Sequence, residues 1–350
     1  MMNQYLCLLP KVKDRTKSAI LLCLSGFSAT AQCDLVDKFP ESFQENLRAT
    51  LDLSTRYTHD DNKTGHQHWW HVTGLDLHKV FSNEGGDWAT LRTQLYVVRQ
   101  ENGVGGAAHP YLERPDDWEL QPRIVDINFT NLGENLPNLR VGHFEVPYGL
   151  EHLINTNGTL HDFRHPQNIG KVKPDWGLAI NDDFQEWEYE IALTRGTGIE
   201  YHSAGDPYII AGRIGTPRDR NFVLGASFAD IHSTRPVVGV GERERYGIDA
   251  QYFFGLWSVL GEISWGDNAG TDIRHSIYEL NFRTPSEKIF VWAQGIHQTM
   301  ESSTGWMQDT SLGNYGIRYA PDSHWALSGM WSHDYEADND IIKAQLRYRF

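Results

Sequence analysis

Apolar and polar residues alternate with a period of two along most of the chain, in runs separated by clusters of Gly, Pro, Asn and Asp. In one run Trp257, Val259, Gly261, Ile263 and Trp265 interleave with Glu262 and Ser264; in another Trp187, Tyr189, Ile191 and Leu193 interleave with Glu188 and Glu190. Runs around Val125, Phe222, Ile248 and Tyr278 follow the same rule. Successive side chains of a strand point to opposite faces, so each run predicts one apolar face with aromatic ends and one polar face. About sixteen runs can be counted from residue 46 onward. Their connections alternate in length. Long ones fall near 58–66, 101–117, 147–174, 196–206, 231–242, 266–271, 298–308 and 334–340. Short ones, mostly tight turns, fall near 83–87, 132–137, 181–183, 216–219, 255, 284–287 and 321–323.

A soluble sandwich also alternates, but it gives Trp and Tyr no reason to collect at strand ends. A membrane barrel does, because amphipathic rings settle at both water interfaces. The 12 Trp, 15 Tyr and 15 Phe therefore favour an all-β, transmembrane antiparallel β-barrel. The strand number is about 16, with 14 to 18 as the range. The last nine residues fit a wall strand: Ile342, Ala344, Leu346, Tyr348 and Phe350 on one side, Lys343, Gln345, Arg347 and Arg349 on the other. This ending also resembles the C-terminal strand of bacterial outer-membrane proteins, which implies that Phe350 is an assembly signal read by the barrel assembly machinery.

At the other end, Lys11, Lys13, Arg15 and Lys17 precede the apolar stretch 19–24 and an Ala29-Thr30-Ala31 site, the pattern of a secretory signal peptide. The expected organisation is a signal peptide over 1–31, a periplasmic lead-in over 32–45 and a transmembrane β-barrel over 46–350, in the outer membrane of a Gram-negative bacterium. Cys33 lies just past the cleavage site, where a lipid anchor is the alternative to a free thiol, and Gln32 is a poor neighbour for lipidation. Once Cys7 and Cys23 leave with the signal, one thiol can form neither an internal disulfide nor a cysteine-based zinc site. The formal net charge of −15 argues against nucleic acid as a partner. Outer-membrane lipid is the expected surrounding.

The segment Gly142, Phe144, Pro147, Tyr148, Gly149, Leu150 and Glu151 resembles the G-x-F-x-x-P-[FY]-G-L-E pattern of outer-membrane porins, in particular the phosphate-selective porin-like family. The resemblance implies a constriction loop after strand 5 that folds into a water-filled lumen, passive diffusion of small hydrophilic solutes, and a homotrimer. In that loop His161, Arg164, His165, Lys171 and Lys173 are candidates for the pore constriction. Arg318, Lys343, Arg347 and Arg349 on polar strand faces, with Arg140, are candidates for the lumen wall. Cations in a narrow throat attract anions, which gives a lean toward anion passage. Alternatively these residues pair with Glu188, Glu190, Asp249, Glu262 and Glu279 and keep the lumen wet.

Other constellations are weaker. His66, His68 and His71 flank Trp69 and Trp70; an interfacial girdle explains them more simply than a metal site. His202, Ser203 and Asp206 share one loop, but adjacent side chains on extended backbone face apart, against a barrel hydrolase. Acidic residues of the outer loops, such as Asp334, Glu336 and Asp338, read as a solvated surface. No cofactor motif is recognisable. The rival from another class is a sheath barrel enclosing a periplasmic or electron-transfer partner.

Overall fold

The last strand pairs with the first. In the computed structural model Asn339–Arg349 (β16) runs antiparallel to Leu47–Asp60 (β1), with Leu53 opposite Tyr348 and Tyr57 opposite Ala344. The structure describes residues 36–37, 39–61, 66–101, 117–154, 158–161, 163, 174–199, 206–233, 241–305 and 307–350. Between the closing strands lie His66–Asn83 (β2), Gly86–Glu101 (β3), Glu119–Phe129 (β4), Asn138–Glu145 (β5), Pro174–Asp183 (β6), Glu188–Thr194 (β7) and Tyr208–Gly215 (β8). Phe222–Ser233 (β9), Gly241–Phe254 (β10), Trp257–Asn268 (β11), Thr271–Arg283 (β12), Ile289–Ser302 (β13), Met307–Tyr319 (β14) and Trp325–Asp334 (β15) complete the wall. Each strand pairs with its chain neighbours, and the sixteen close into a barrel. Closure leaves no open edge, and the ladder is interrupted by irregularities at Phe81/Ser82 and Gln94/Leu95.

Alternation sorts the faces as the sequence requires. On β9, Phe222, Leu224 and Phe228 face outward and are exposed, while Val223, Ser227 and Ala229 face inward and are buried. Exposed Ile, Leu, Phe, Tyr and Trp continue around the outside from β6 to β16, a band that only lipid can cover. Aromatic rings mark its margins: Trp257 packs on Phe282 at 4.7 Å and Trp325 on Tyr348 at 4.6 Å at the short-turn end, and Tyr57 packs on Trp69 at 5.1 Å at the other. No described helix is long and apolar enough to cross a membrane.

The turn expected at 181–183 lies instead at 184–187, closed by the Phe184 N–H donating to the Trp187 carbonyl at 2.8 Å and by stacking of the two rings at 4.2 Å. Asn181 looked like a turn residue because of its type. It belongs to the wall, where its carboxamide donates to Asn128 at 3.0 Å. The long connection expected at 266–271 shrinks to Ala269 and Gly270, whose φ values of 49° and 89° make a two-residue hairpin turn. In the turn from β14 to β15, the backbone N–H groups of Trp325 and His324 hold the Asp322 carboxyl below its usual range.

Of the expected lead-in, residues 36, 37 and 39–45 are described. Glu41–Gln44 forms a single helical turn, α1, and Phe43 packs on outward-facing Phe81 at 6.1 Å. Lys79 donates to the Glu45 carbonyl and lies over both rings. The segment is thus seated against the outside of the wall at its short-turn rim. Residues 1–31 and Cys33 lie outside the described residues.

Candidate functional site

The chain leaves β5 through Val146, Pro147 and Tyr148, all buried, and turns into the lumen. Most of the motif residues in the 142–151 segment have a physical task. Gly142 has φ +133°, and a Cβ there would stand 2.2 Å from the Val125 carbonyl oxygen and 2.8 Å from the Asp126 Cα. Only glycine lets β4 approach β5 so closely. Phe144 packs inward on Ala179 and Ala192, and Val146 and Tyr148 pack on Ile209, Ala211 and Ile231. Burial pushes the Tyr148 hydroxyl up, so it stays neutral against the wall. Gly149 (φ +61°) opens a short helix, Gly149–Leu153 (α2), where a Cβ would collide with the Glu262 carboxylate. Gly142→Ala is expected to cost about 1–3 kcal/mol from backbone strain before any clash is counted, read as a lower urea midpoint of the refolded barrel.

Three strands hold α2. The Leu150 N–H donates to Glu262 Oε2 at 2.9 Å, the Gly149 N–H to the Ser227 hydroxyl at 3.0 Å, and His152 lies 3.4 Å from Glu190. Leu150 and Phe163 pack with Leu260, Ile277 and Ile296. The loop then reaches the opposite wall, where Arg56 donates to the Thr159 carbonyl and Gln345 to the Gly158 carbonyl, both at 2.8 Å. His161 Nε2 returns to β12, 2.8 Å from both carboxylate oxygens of Glu279. A loop fastened to β7, β9, β11, β12, β16 and β1 spans the bore and narrows it.

Of the constriction candidates, His161 is in this loop, whereas Arg164, His165, Lys171 and Lys173 lie outside the described residues. On the wall, Arg140 pairs with Glu190, Arg347 with Asp52, and Arg349 with Asp76 at 3.3 Å and Asp52 at 3.5 Å. Arg318 sits over the Phe290 ring at 5.6 Å, without a carboxylate partner among the described residues. Lys343 takes its place on β16 opposite Met330 and Thr58. Phe350 extends the β1 ladder, its N–H donating to the Leu51 carbonyl at 3.1 Å, with its ring on Tyr348 at 5.6 Å.

The pairing alternative names real contacts, and three of the pairs are lopsided, while in Arg123–Glu145 the carboxylate is the more exposed partner. The side chains of Arg92, Arg218 and Arg349 are 40%, 53% and 44% exposed, while their partners Asp126, Glu188 and Asp52 are 0%, 8% and 4% exposed. In these three the guanidinium stands forward from the wall and the carboxylate sits behind it. Arg213 and Asp249, 2.8 Å apart, are both buried in the wall. Two cavities flank the loop. One, of 600 Å³, is lined by Arg48, Arg92, Arg123, Arg218 and Arg349 against Asp76 and Glu145. The other, of 420 Å³, shares Arg218 and adds Arg283 and Arg318, with no carboxylate among its described lining. Sequence reasoning passed over Arg48, Arg92, Arg123 and Arg218; the first two occupy the same interleaved polar positions that singled out Arg318.

His71 accepts or shares a hydrogen bond with Thr55 at 2.9 Å and stacks on Trp69 on the outward face, a girdle position. Among the described residues no three His, Cys, Asp or Glu side chains converge as a metal set. His202 and Ser203 lie outside the described residues.

No family model and no curated relative matches the chain. Solved structures do. OprB of Pseudomonas putida, in its high-pH structure, superposes with a TM-score of 0.67 at 8% identity, over 91% of this chain and 96% of that one. OmpF of Salmonella typhi, in complex with daunomycin, gives 0.65 at 9% identity, over 87% and 97%. The anion-selective porin of Comamonas acidovorans gives 0.60 at 12% identity, over 87% and 99%. The chain has the porin fold. At such identities the likeness is one of fold, and the lumen must speak for itself.

Proposed function

We propose that this protein is an outer-membrane porin, a passive pore for small hydrophilic solutes with a preference for anions. The observation that carries the reading is the lumen surface, where Arg92, Arg218 and Arg349 stand forward of buried Asp126, Glu188 and Asp52 and where Arg283 and Arg318 line the second cavity. At these three pairs a solute in the bore meets the cation at short range and the anion only through protein. In a narrow passage that asymmetry sets the sign of the potential. The acidic net charge does not contradict it, because outer-loop carboxylates lie in screened solvent.

The short-turn end carries both ends of the barrel and faces the periplasm, and residues 1–31 are removed as a signal peptide. His161 narrows the bore, with Arg164, His165, Lys171 and Lys173 on the same loop. Arg140, Arg318, Lys343, Arg347 and Arg349 line the wall, and Phe350 serves as the assembly signal. A homotrimer fits the outward face of β1–β3, which carries Thr55, His71, Thr73, Arg99 and Glu101 where the rest of the barrel shows large apolar residues. A neighbour in fold, OmpT of Vibrio cholerae, has a trimer form. A sheath threaded by a partner needs an open bore, and this one is crossed by its own chain.

Purified protein in planar bilayers under a KCl gradient is expected to give discrete conductance steps and a reversal potential of anion-selective sign. Absence of steps would remove the pore reading. A cation-selective sign would remove the anion preference alone.

A further inference from the structure

The 420 Å³ cavity between the traversing loop and the wall of β10 to β15 has an aromatic floor. Arg283, Phe290 and Arg318 stand directly opposite one another on β12, β13 and β14, in one inward-facing row. Both guanidinium groups lie over the Phe290 ring, at 5.8 and 5.6 Å from its centroid. Trp292 is stacked on Phe290 at 5.6 Å. It lies flat across β14 because position 316 is glycine: a Cβ there would be 1.9 Å from the indole. The His161 ring meets Phe290 at 5.5 Å and Trp292 at 5.2 Å, closing the site from the loop side. Asn281 supplies a polar edge, donating to Ser258 at 3.3 Å.

Trp292 is already covered by Leu160 and Met330, which leaves half-buried Phe290 as the ring that faces the cavity. Among the described residues Arg283 has one carboxylate neighbour, Glu287, at 4.0 Å with both side chains exposed. Arg318 has no carboxylate partner among the described residues. Guanidinium forks match the geometry of carboxylates, and aromatic rings gain from offset stacking. The volume falls in the range of small-molecule sites.

From this juxtaposition we infer that the cavity is a binding site for aromatic carboxylates, the carboxylate held by Arg283 and Arg318 and the ring lodged against Phe290. The inference rests on the porin reading for its access route and sharpens it: the pore takes ring-bearing organic anions in preference to small inorganic or aliphatic ones.

The test is equilibrium dialysis of the refolded protein in detergent against labelled benzoate, with unlabelled benzoate or acetate as competitor, beside bilayer recordings in KCl. One saturable site per chain is expected, displaced by benzoate and not by acetate. R318Q and R283Q should each weaken binding about tenfold or more, the loss of one charge-assisted contact. No saturable binding, equal displacement by acetate, or unchanged affinity in both variants would overturn the site. Binding by a protein that gives no conductance steps would keep the site and sink the pore; steps without binding would do the reverse.

Discussion

Replacing Glu262 by Ala is expected to loosen the traversing loop and to turn a steady pore into a larger, fluctuating one. Glu262 is buried on the inner face of β11 and receives the Leu150 N–H at 2.9 Å and the Ser264 hydroxyl at 2.9 Å. The first four N–H groups of a helix have no partner of their own, and here a wall carboxylate supplies one. A hydrogen bond to a charged acceptor contributes about 1.5–3 kcal/mol, and its removal leaves a buried donor unsatisfied. The apolar contacts of Leu150 with Leu260 and Ile277 remain, so the loop stays in the lumen but samples positions away from the wall. Single-channel recordings should show higher mean conductance and more open-state noise. Glu262→Gln keeps an acceptor oxygen and should lie close to the unaltered protein. If Glu262→Ala conducts with unaltered amplitude and noise, the anchor is not what fixes the bore.

What the residues disclosed, and what they withheld, divides along the wall. The runs ending in Trp265 and Phe228 placed strands and faces because parity is a local property, and lipid enforces it residue by residue. The turn at 184–187 was displaced because an aromatic girdle residue and a turn residue occupy the same end of a hairpin. Phe184 and Trp187 obey the girdle, while Asn181 obeys the lumen. The arrangement inside the bore was hidden for a different reason. Parity says that Arg318 and Glu262 face inward, but not what lies across from them. The contact between Leu150 and Glu262 joins positions 112 apart, and that between Asp52 and Arg347 joins positions 295 apart. Closure of the barrel fixes both. The glycines at 142 and 149 were visible only as part of a resemblance, and their cause is steric: one admits a neighbouring strand, the other a carboxylate.

The seam between first and last strands gives the second large effect. Asp52, buried on β1, accepts from Arg347 Nε at 2.9 and 3.1 Å and from the adjoining amino group, so the guanidinium fork straddles the closure itself. Asp52→Ala leaves that guanidinium in the wall with its counter-charge gone, and removing one partner of a buried pair costs about 3–5 kcal/mol. The urea midpoint of the refolded barrel should fall accordingly. The same change should move the reversal potential further in the anion-selective direction, because Arg347 and Arg349 lose a shared carboxylate while Arg349 keeps Asp76 at 3.3 Å. Desolvating two charges opposes what their attraction returns, so Asp52→Leu combined with Arg347→Met should recover most of the lost stability. It should also bring the reversal potential back toward that of the unaltered protein, since it removes one charge of each sign. A double variant as unstable as Asp52→Ala would mean that the seam depends on the ion pair for its register rather than for charge balance, and strand pairing at Leu53 and Tyr348 would then be the place to look for the slip.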